Sequence, residues 1–409
     1  MGDSNSVTEV THVGFVERMM KSVGGALLGL GLFVASFFLL WWNEGNVVAE
    51  KEAIAELKNF SRIKVTAPSA ENNDKIIHGV GKLRSKTKLG DGIIKQGSYL
   101  SLDRTVEMYQ WVQHKETKTT KNTGGSETKT TTYSYQKEWK EGRENSSQFK
   151  KSGYNNPSLP FESKTYEVNK TSFGKFEGNP VLARIDNHKD LNLEQGMVQD
   201  TRFKAEGNYV FLRRGANPNQ LSVGDIRVSY KAVANGSIYS IMAKQTSPST
   251  LEPHLAENGK EKFLVEAGKV GPKRMINNAQ ESAATMANVF RFLGWLVMFM
   301  GISMFLAPLS TFLDILPILG SAGRFVTGVF SFLVSAVLST VTIMVGMIAH
   351  NPIALAVVLA GSVFSLYYIY RKGKERQKQQ SIGGSSTTSQ DSVSGQQHSS
   401  ENQQIRKVS

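Results

Sequence analysis

Phe292–Leu309 reads FLGWLVMFMGISMFLAPL, 18 residues without a charge. A bilayer core is roughly 30 Å thick and takes about 20 apolar residues to cross as helix, so this stretch is long enough to span it. Downstream, Phe325–Ala349 carries no charge over 25 residues and Pro352–Tyr370 none over 19. Far upstream lies Gly24–Trp42 (GGALLGLGLFVASFFLLWW). The pattern predicts a membrane protein with four transmembrane α-helices and a large, mainly β (α+β) extracytoplasmic domain between the first and second. The expected division is 1–22 as an N-terminal cytoplasmic segment, 23–42 as the first span and 43–288 as the domain. Residues 289–309 form the second span, 310–324 a connector, 325–349 and 352–370 the last two spans, and 371–409 a basic, then disordered, cytoplasmic tail.

The flanks set the orientation. RKGKERQK after Tyr370 and Arg18/Lys21 before the first span both read as cytoplasmic by the positive-inside rule. Residues 1–13 read as polar and disordered, and Phe15–Lys21 as a short amphipathic approach to the membrane. Trp41 and Trp42 suit the headgroup boundary, and Gly25 and Gly29 leave small faces that a second helix can approach. Asn43-Glu44-Gly45 separates the span from an amphipathic helix over Val48–Phe60. Arg291 is placed to snorkel at the start of the second span. In the connector, Asp314 and Pro317 interrupt an apolar run, and a carboxylate there belongs at headgroup level. Asn351-Pro352 turns the third span tightly into the fourth.

Between the first two spans the pattern is β. Strands are expected at Arg62–Val65, Lys75–Leu83, Leu102–Gln113, Phe161–Val168, Val181–Ile185, Asn208–Arg213, Asp225–Ala232, Ser237–Gln245 and Lys262–Val270. Thr-rich arms flanking Asn122-Thr-Gly-Gly-Ser126 predict a long hairpin whose outer half projects into solvent. Asn235-Gly236 predicts a second, tight hairpin. Residues 271–290 turn helical and lead into the second span.

Composition narrows the function. The chain has no cysteine, which removes disulfides, thiolate metal sites and cysteine nucleophiles. The net charge of +13 suits anionic lipid headgroups better than nucleic acid for a domain held at a bilayer. The seven histidines stand apart, with no zinc-ligand spacing, so no metal or cofactor is expected. No nucleophile elbow, Walker A loop or dinucleotide fingerprint occurs. Asp103, Glu107 and Glu138 form a carboxylate set whose ordinary reading is a charged sheet surface. N-x-S/T sequons stand at Asn59, Asn145, Asn169 and Asn235. The spans hold almost no ionisable group, which argues against transport.

Several strings carry a resemblance. They are Asn43-Glu44-Gly45, VEMYQW at 106–111, Tyr133-Ser-Tyr-x-x-Glu-Trp139, Gly224-Asp-Ile-Arg-Val-Ser-Tyr230, GWLVMFMG at 294–301, the Asp314-x-x-Pro317 connector and Asn351-Pro352. In this order they resemble the transmembrane protein 43 (LUMA) family. The resemblance implies a four-span protein without enzymatic activity that organises membrane protein complexes. In animals it implies the endoplasmic reticulum and inner nuclear membrane, with lamin and emerin as partners. The Thr-rich hairpin tip, the Gln/Ser-rich tail and the lack of cysteine depart from the animal form and suit a bacterial inner membrane with a periplasmic domain.

The expected function is therefore a multi-pass scaffold whose partners are the bilayer, other membrane proteins and copies of itself. A membrane-tethered sensor of lipid or a small ligand is the alternative. Candidate interaction residues are Asn43, Glu44, Gly45, Glu107, Tyr109, Trp111, Tyr135, Trp139, Asp225, Arg227, Tyr230, Gly294, Trp295, Asp314 and Pro317.

Overall fold

The computed structural model describes residues 6–215, 220–315, 317–372 and 374. They divide into two units, 1–343 and 344–409. The chain begins with strand β1 (Ser6–Val13) and enters α1 (Phe15–Glu56), one helix of 42 residues. The disordered start does not hold for residues 6–13, with 1–5 outside the described residues, and the separate amphipathic approach does not hold either. β1 is ordered because it pairs antiparallel with a later strand, Val13 opposite Glu127 and Ser6 opposite Ser134. α1 also runs through Asn43-Glu44-Gly45 without a break. A mid-helix glycine costs about 1 kcal/mol. Burial of Ile54 and of Leu57 just beyond the helix offsets that, at ~1.5–3 kcal/mol for each fully buried side chain.

The inserted domain then builds two main sheets. β2 (Phe60–Ile63) lies parallel to β3 (Lys75–Arg84), and the strand Ile238–Ser247 covers the other edge of β3. β4 (Tyr99–Lys121) and β5 (Glu127–Glu141) form the long hairpin at the centre of an eight-stranded sheet. β1 closes one side of it, and the strands Ile226–Ala234, Tyr209–Leu212 and Lys204–Glu206 extend the other. Period-two alternation buries Leu102, Val106, Ile226, Val228 and Val210 in one core. The second sheet has its own core around Ile77, Leu83, Phe173, Phe176 and Ile241.

Four local expectations change. Asn235-Gly236 is a turn, but no hairpin, because its flanking strands belong to different sheets. Ile226–Ala234 pairs with β4 and Ile238–Ser247 with β3. Gly236 takes φ +86°, and the Asn235 amide holds Ser85 at both backbone atoms, 3.1 and 2.7 Å. Val181–Ile185 forms a 3-10 turn over Leu182–Arg184 instead of a strand. The expected strand at Phe161–Val168 shortens to Lys164–Glu167, and that at Lys262–Val270 to Leu264–Ala267.

Pro272–Phe305 is a single helix, α2, that carries the domain exit straight into the second span. α3 (Ala307–Leu313) and α4 (Pro317–Ala349) follow, so the third helix starts at Pro317 and the connector is shorter than expected. α5 covers Pro352–Lys372. α1, α2, α4 and α5 are all long and apolar enough to cross a membrane. The end of the basic flank and the Gln/Ser-rich tail lie outside the described residues.

α1 and α2 pack antiparallel through small residues. A Cβ on Gly29 would stand 2.7 Å from the Gly301 carbonyl oxygen, and one on Gly301 2.6 Å from the Phe33 nitrogen. Gly25 has nothing within 4 Å, so of the two glycines only Gly29 is a contact residue. Leu40, Met298 and Ile302 form the buried centre, with Val334 and Leu338 of α4 against them. Where the helices meet the domain, Ile54, Leu57, Met275 and Ile276 share a core with Ile76 and Met242.

Candidate functional site

Three arrangements gather the candidate residues. The first is the outward face of the large sheet. Residues alternating with the core positions bring Glu107, Arg227 and Phe211 into one cross-strand row, with Tyr109 and Trp139 opposite each other beside it. Arg227 grips Glu107 bidentately at 2.7 and 2.8 Å. Its guanidinium lies 4.7 Å from the ring centroids of both Trp139 and Tyr209. Trp139 meets Tyr109 at 5.5 Å and Phe211 at 5.9 Å. The Glu107 bond pushes the Arg227 guanidinium above its usual value, so the cation is permanent. All six side chains are half-buried. The result is a flat aromatic surface with a fixed charge at its centre, a composition enriched at protein interfaces.

Other aromatic candidates are structural. Tyr135 stacks on Tyr154 at 4.2 Å and donates to Gln113, and Trp111 closes that cluster edge-on at 4.8 Å. Tyr230 is buried and donates to Asp91 at 2.7 Å. Burial, and then the Asp91 charge, push its phenol well above the usual range. Asp225 is buried too, accepting from the Arg214 and Ser222 backbone at 2.7 and 2.9 Å to close the turn before its strand. The three carboxylates Asp103, Glu107 and Glu138 are not brought together. Each faces a different partner, His188, Arg227 and His114 respectively.

The second arrangement is a clip where α1 and α2 leave the domain. Glu44, buried, takes a bidentate bond from Arg291 at 2.8 Å on both oxygens. Arg291 therefore does not snorkel. A carboxylate one helix away satisfies it. Asn43, also buried, donates to the Ala287 carbonyl at 3.3 Å. Gly45 lies half-buried in α1. Gly294 admits Leu40, which would sit 2.4 Å from an added Cβ. Trp295 stacks with Phe299 and meets Phe332 of α4 edge-on.

The third arrangement lies at the other end of α1, and it overturns the free hairpin tip. Asp314 is buried, where a carboxylate is tolerated only if paired. Arg18 reaches it at 2.5 Å, and Lys121 and Arg324 also bond it. Arg18 further contacts Glu127 at 3.0 Å and donates to the Gly125 carbonyl. The Gly124 amide donates to Ile315 at 3.2 Å. Gly124 and Gly125 take positive φ, which lets the tip turn flat against Phe15. Burial would raise the Asp314 carboxyl, but the bonds from Lys121 and Arg18 outweigh it and hold it below the usual range. Pro317 begins α4 just beyond. Of this cluster only Asp314 was among the sequence candidates. Arg18 is visible in the sequence as an orientation signal, whereas Lys121, Glu127 and Arg324 carry no local mark.

Membrane helices flanking a mainly β domain, with polar clips at both ends of the first pair, define a multi-pass integral membrane protein with a large inserted domain. The sequence profile described as Transmembrane protein 43 matches residues 108–352, and the chain belongs to that family. Transmembrane protein 43 of Mus musculus is 28% identical over 369 residues, covering 86% of this chain and 91% of its own length. The Homo sapiens protein of that name is 28% identical over 365 residues, covering 85% and 90%. The Drosophila melanogaster homolog is 28% identical over 288 residues, covering 68% and 75%. No solved structure matches the chain.

Proposed function

We propose that the chain is a non-enzymatic membrane scaffold that organises membrane protein complexes. The observation that carries this reading is the aromatic face around Arg227. Its rings and fixed cation are half-exposed on a rigid sheet, suited to a flat protein partner. The membrane helices anchor that face at a set height above the bilayer. Its partners on this reading are other membrane proteins and copies of the chain. In a eukaryotic host the compartment is the endoplasmic reticulum and inner nuclear membrane, with lamin- or emerin-type partners. In a bacterium it is the inner membrane.

Co-purification from native membranes tests it. Trp139→Ser should lose the membrane proteins recovered with the unaltered chain, while the β domain melts at nearly the same temperature. Recovery of monomer alone, with no membrane protein attached to the unaltered chain, overturns the reading.

The lipid-sensing alternative draws on one further observation. A cavity of about 330 Å³ opens beside the α1–α2 junction, lined by Asn43, Val47, Glu50, Met286 and Phe290. It lies at the level of the Trp41-Trp42 pair, and the Asn43 side-chain oxygen has no hydrogen-bond partner among the described residues. Native mass spectrometry of the full chain from nanodiscs separates the two readings. Lipid retained by the chain and lost in Ala283→Trp favours the sensor.

A further inference from the structure

The clip at Glu44–Arg291 and the cluster at Asp314 lie at opposite ends of the apolar part of α1. Arg18 and Asn43 are about 38 Å apart along the axis, at 1.5 Å rise per residue. That exceeds a bilayer core of roughly 30 Å. The domain packs at the Glu44 end, where Ile54 and Leu57 enter its core. Yet the tip of its hairpin is bonded at the Arg18 end. From the Tyr109–Trp139 pair to the Lys121–Glu127 pair the ladder runs unbroken, about 40 Å at ~3.4 Å per residue. The hairpin therefore travels beside the α1–α2 pair over the whole thickness that the pair spans.

Its chemistry does not suit lipid. The outer arms read KETKTTK at 115–121 and ETKTTT at 127–132, with β1 (SVTEVTHV) along one edge. The other edge is open beyond Trp111 among the described residues, because the turn before Ile226–Ala234 bonds β4 as far as Tyr109 and the Asn156 side chain closes Trp111. Open backbone edges do not occur in hydrocarbon. α1 is itself two-sided. Leu27, Leu30, Val34, Phe38 and Trp41 stand exposed along one stripe, while Arg18, Gly29, Ser36, Leu40 and Asn43 are buried on the opposite one. The hairpin tip meets α1 on the buried side.

We propose that the hairpin stands in a water-filled passage through the membrane, walled on one side by α1 and α2 and closed by further copies of this chain. The tip and the Val13 end of β1 then reach the bilayer face opposite the β domain, while the Ser6 end of β1 lies beside Ser134 within the passage. The occupant of the open side is a second copy because two helices shield only one flank of the ribbon. An identical chain brings an identical polar ribbon, and rotation about one axis closes the ring. This inference stands on the fold and is independent of the scaffold reading.

The absence of cysteine makes a direct test available. Single substitutions Lys175→Cys on the domain, Thr117→Cys on the ribbon, Thr123→Cys at the tip and Thr8→Cys in β1 fall on exposed residues. The full chain is labelled in sealed membranes with an impermeant maleimide applied from one face at a time. Lys175→Cys should react from one face and Thr123→Cys only from the other, while Thr8→Cys, which lies level with Glu116 on the ribbon, should behave as Thr117→Cys does. Thr117→Cys should react with the water-soluble reagent, and a bifunctional maleimide should join two copies through it. Labelling of Thr123→Cys from the same face as Lys175→Cys overturns the passage, as does reaction of Thr117→Cys with lipid-soluble reagents only. Cross-links solely to other proteins overturn the assignment of the partner. Thr120→Cys, also exposed on the ribbon, repeats the reading if Thr117→Cys folds poorly.

Discussion

The two polar clusters that bracket α1 and α2 do different work with similar chemistry. At the domain end, one carboxylate meets one guanidinium, Glu44 with Arg291, and both belong to the helix pair. At the other end, Asp314 meets Arg18, Lys121 and Arg324, and Glu127 meets Arg18, so the cluster draws on α1, the hairpin, the connector and α4. The first is a neutral clip that sets the relative height of two neighbouring helices. The second holds more positive than negative charge and ties segments far apart in the chain. A pair within one helical hairpin is a local matter. A four-segment cluster in which three cations converge on Asp314 makes that acid the point on which the arrangement depends.

The comparison breaks hardest at Asp314. Asp314→Ala leaves three cations facing each other around a buried site, and losing one partner of a buried ion pair costs about 3–5 kcal/mol. Limited trypsin digestion should then cut at Lys118 and Lys121, which the unaltered chain protects. A smaller effect is expected between the clusters, where Gly301→Leu forces α2 off Phe33. Overpacking of this kind costs about 1–3 kcal/mol, read as a lower melting temperature in detergent, whereas Gly25→Ala should leave it unchanged. At the domain end, Arg291→Lys keeps the charge but loses the bidentate fork, for about 1–2 kcal/mol and with the hairpin tip still protected. The smallest change is expected with pH. The Asp314 carboxyl is depressed in the folded chain, so its contribution is complete above the unfolded value of about 3.9 and is lost as pH falls through the folded value. Tip protection should be flat from about pH 5 to 8 and fail only in strong acid. Failure near neutrality would mean that another group controls the cluster.

How much of this is legible in the sequence depends on the range of the interaction that decides it. The apolar stretches need no partner to be recognised, and the alternation at Val106, Met108 and Gln110 marks β4 by itself. Asn235-Gly236 shows the limit of local signals. The turn chemistry is right, but which strands pair is settled by β3 and β4, far upstream. Residues 6–13 read as a polar tail until the free edge of β5 offers them a ladder. The tip contact needs positions 18, 121, 127, 314 and 324 at once, and no window of sequence contains them. Glu107 and Arg227 were separate candidates, and only the strand register makes them a pair.

The pairing of β1 with β5 also has a consequence in time. The ribosome makes β1 well before its partner, since Glu127 follows Val13 by more than a hundred positions. At about 5–20 residues per second, roughly 6–23 s separate the two. During that interval α1 must be delivered to the membrane while β1 waits as an unpaired strand. Capture of β1 is thus a late step, separable from insertion. A bulky fusion ahead of Ser6 should slow that capture while leaving the spans in place.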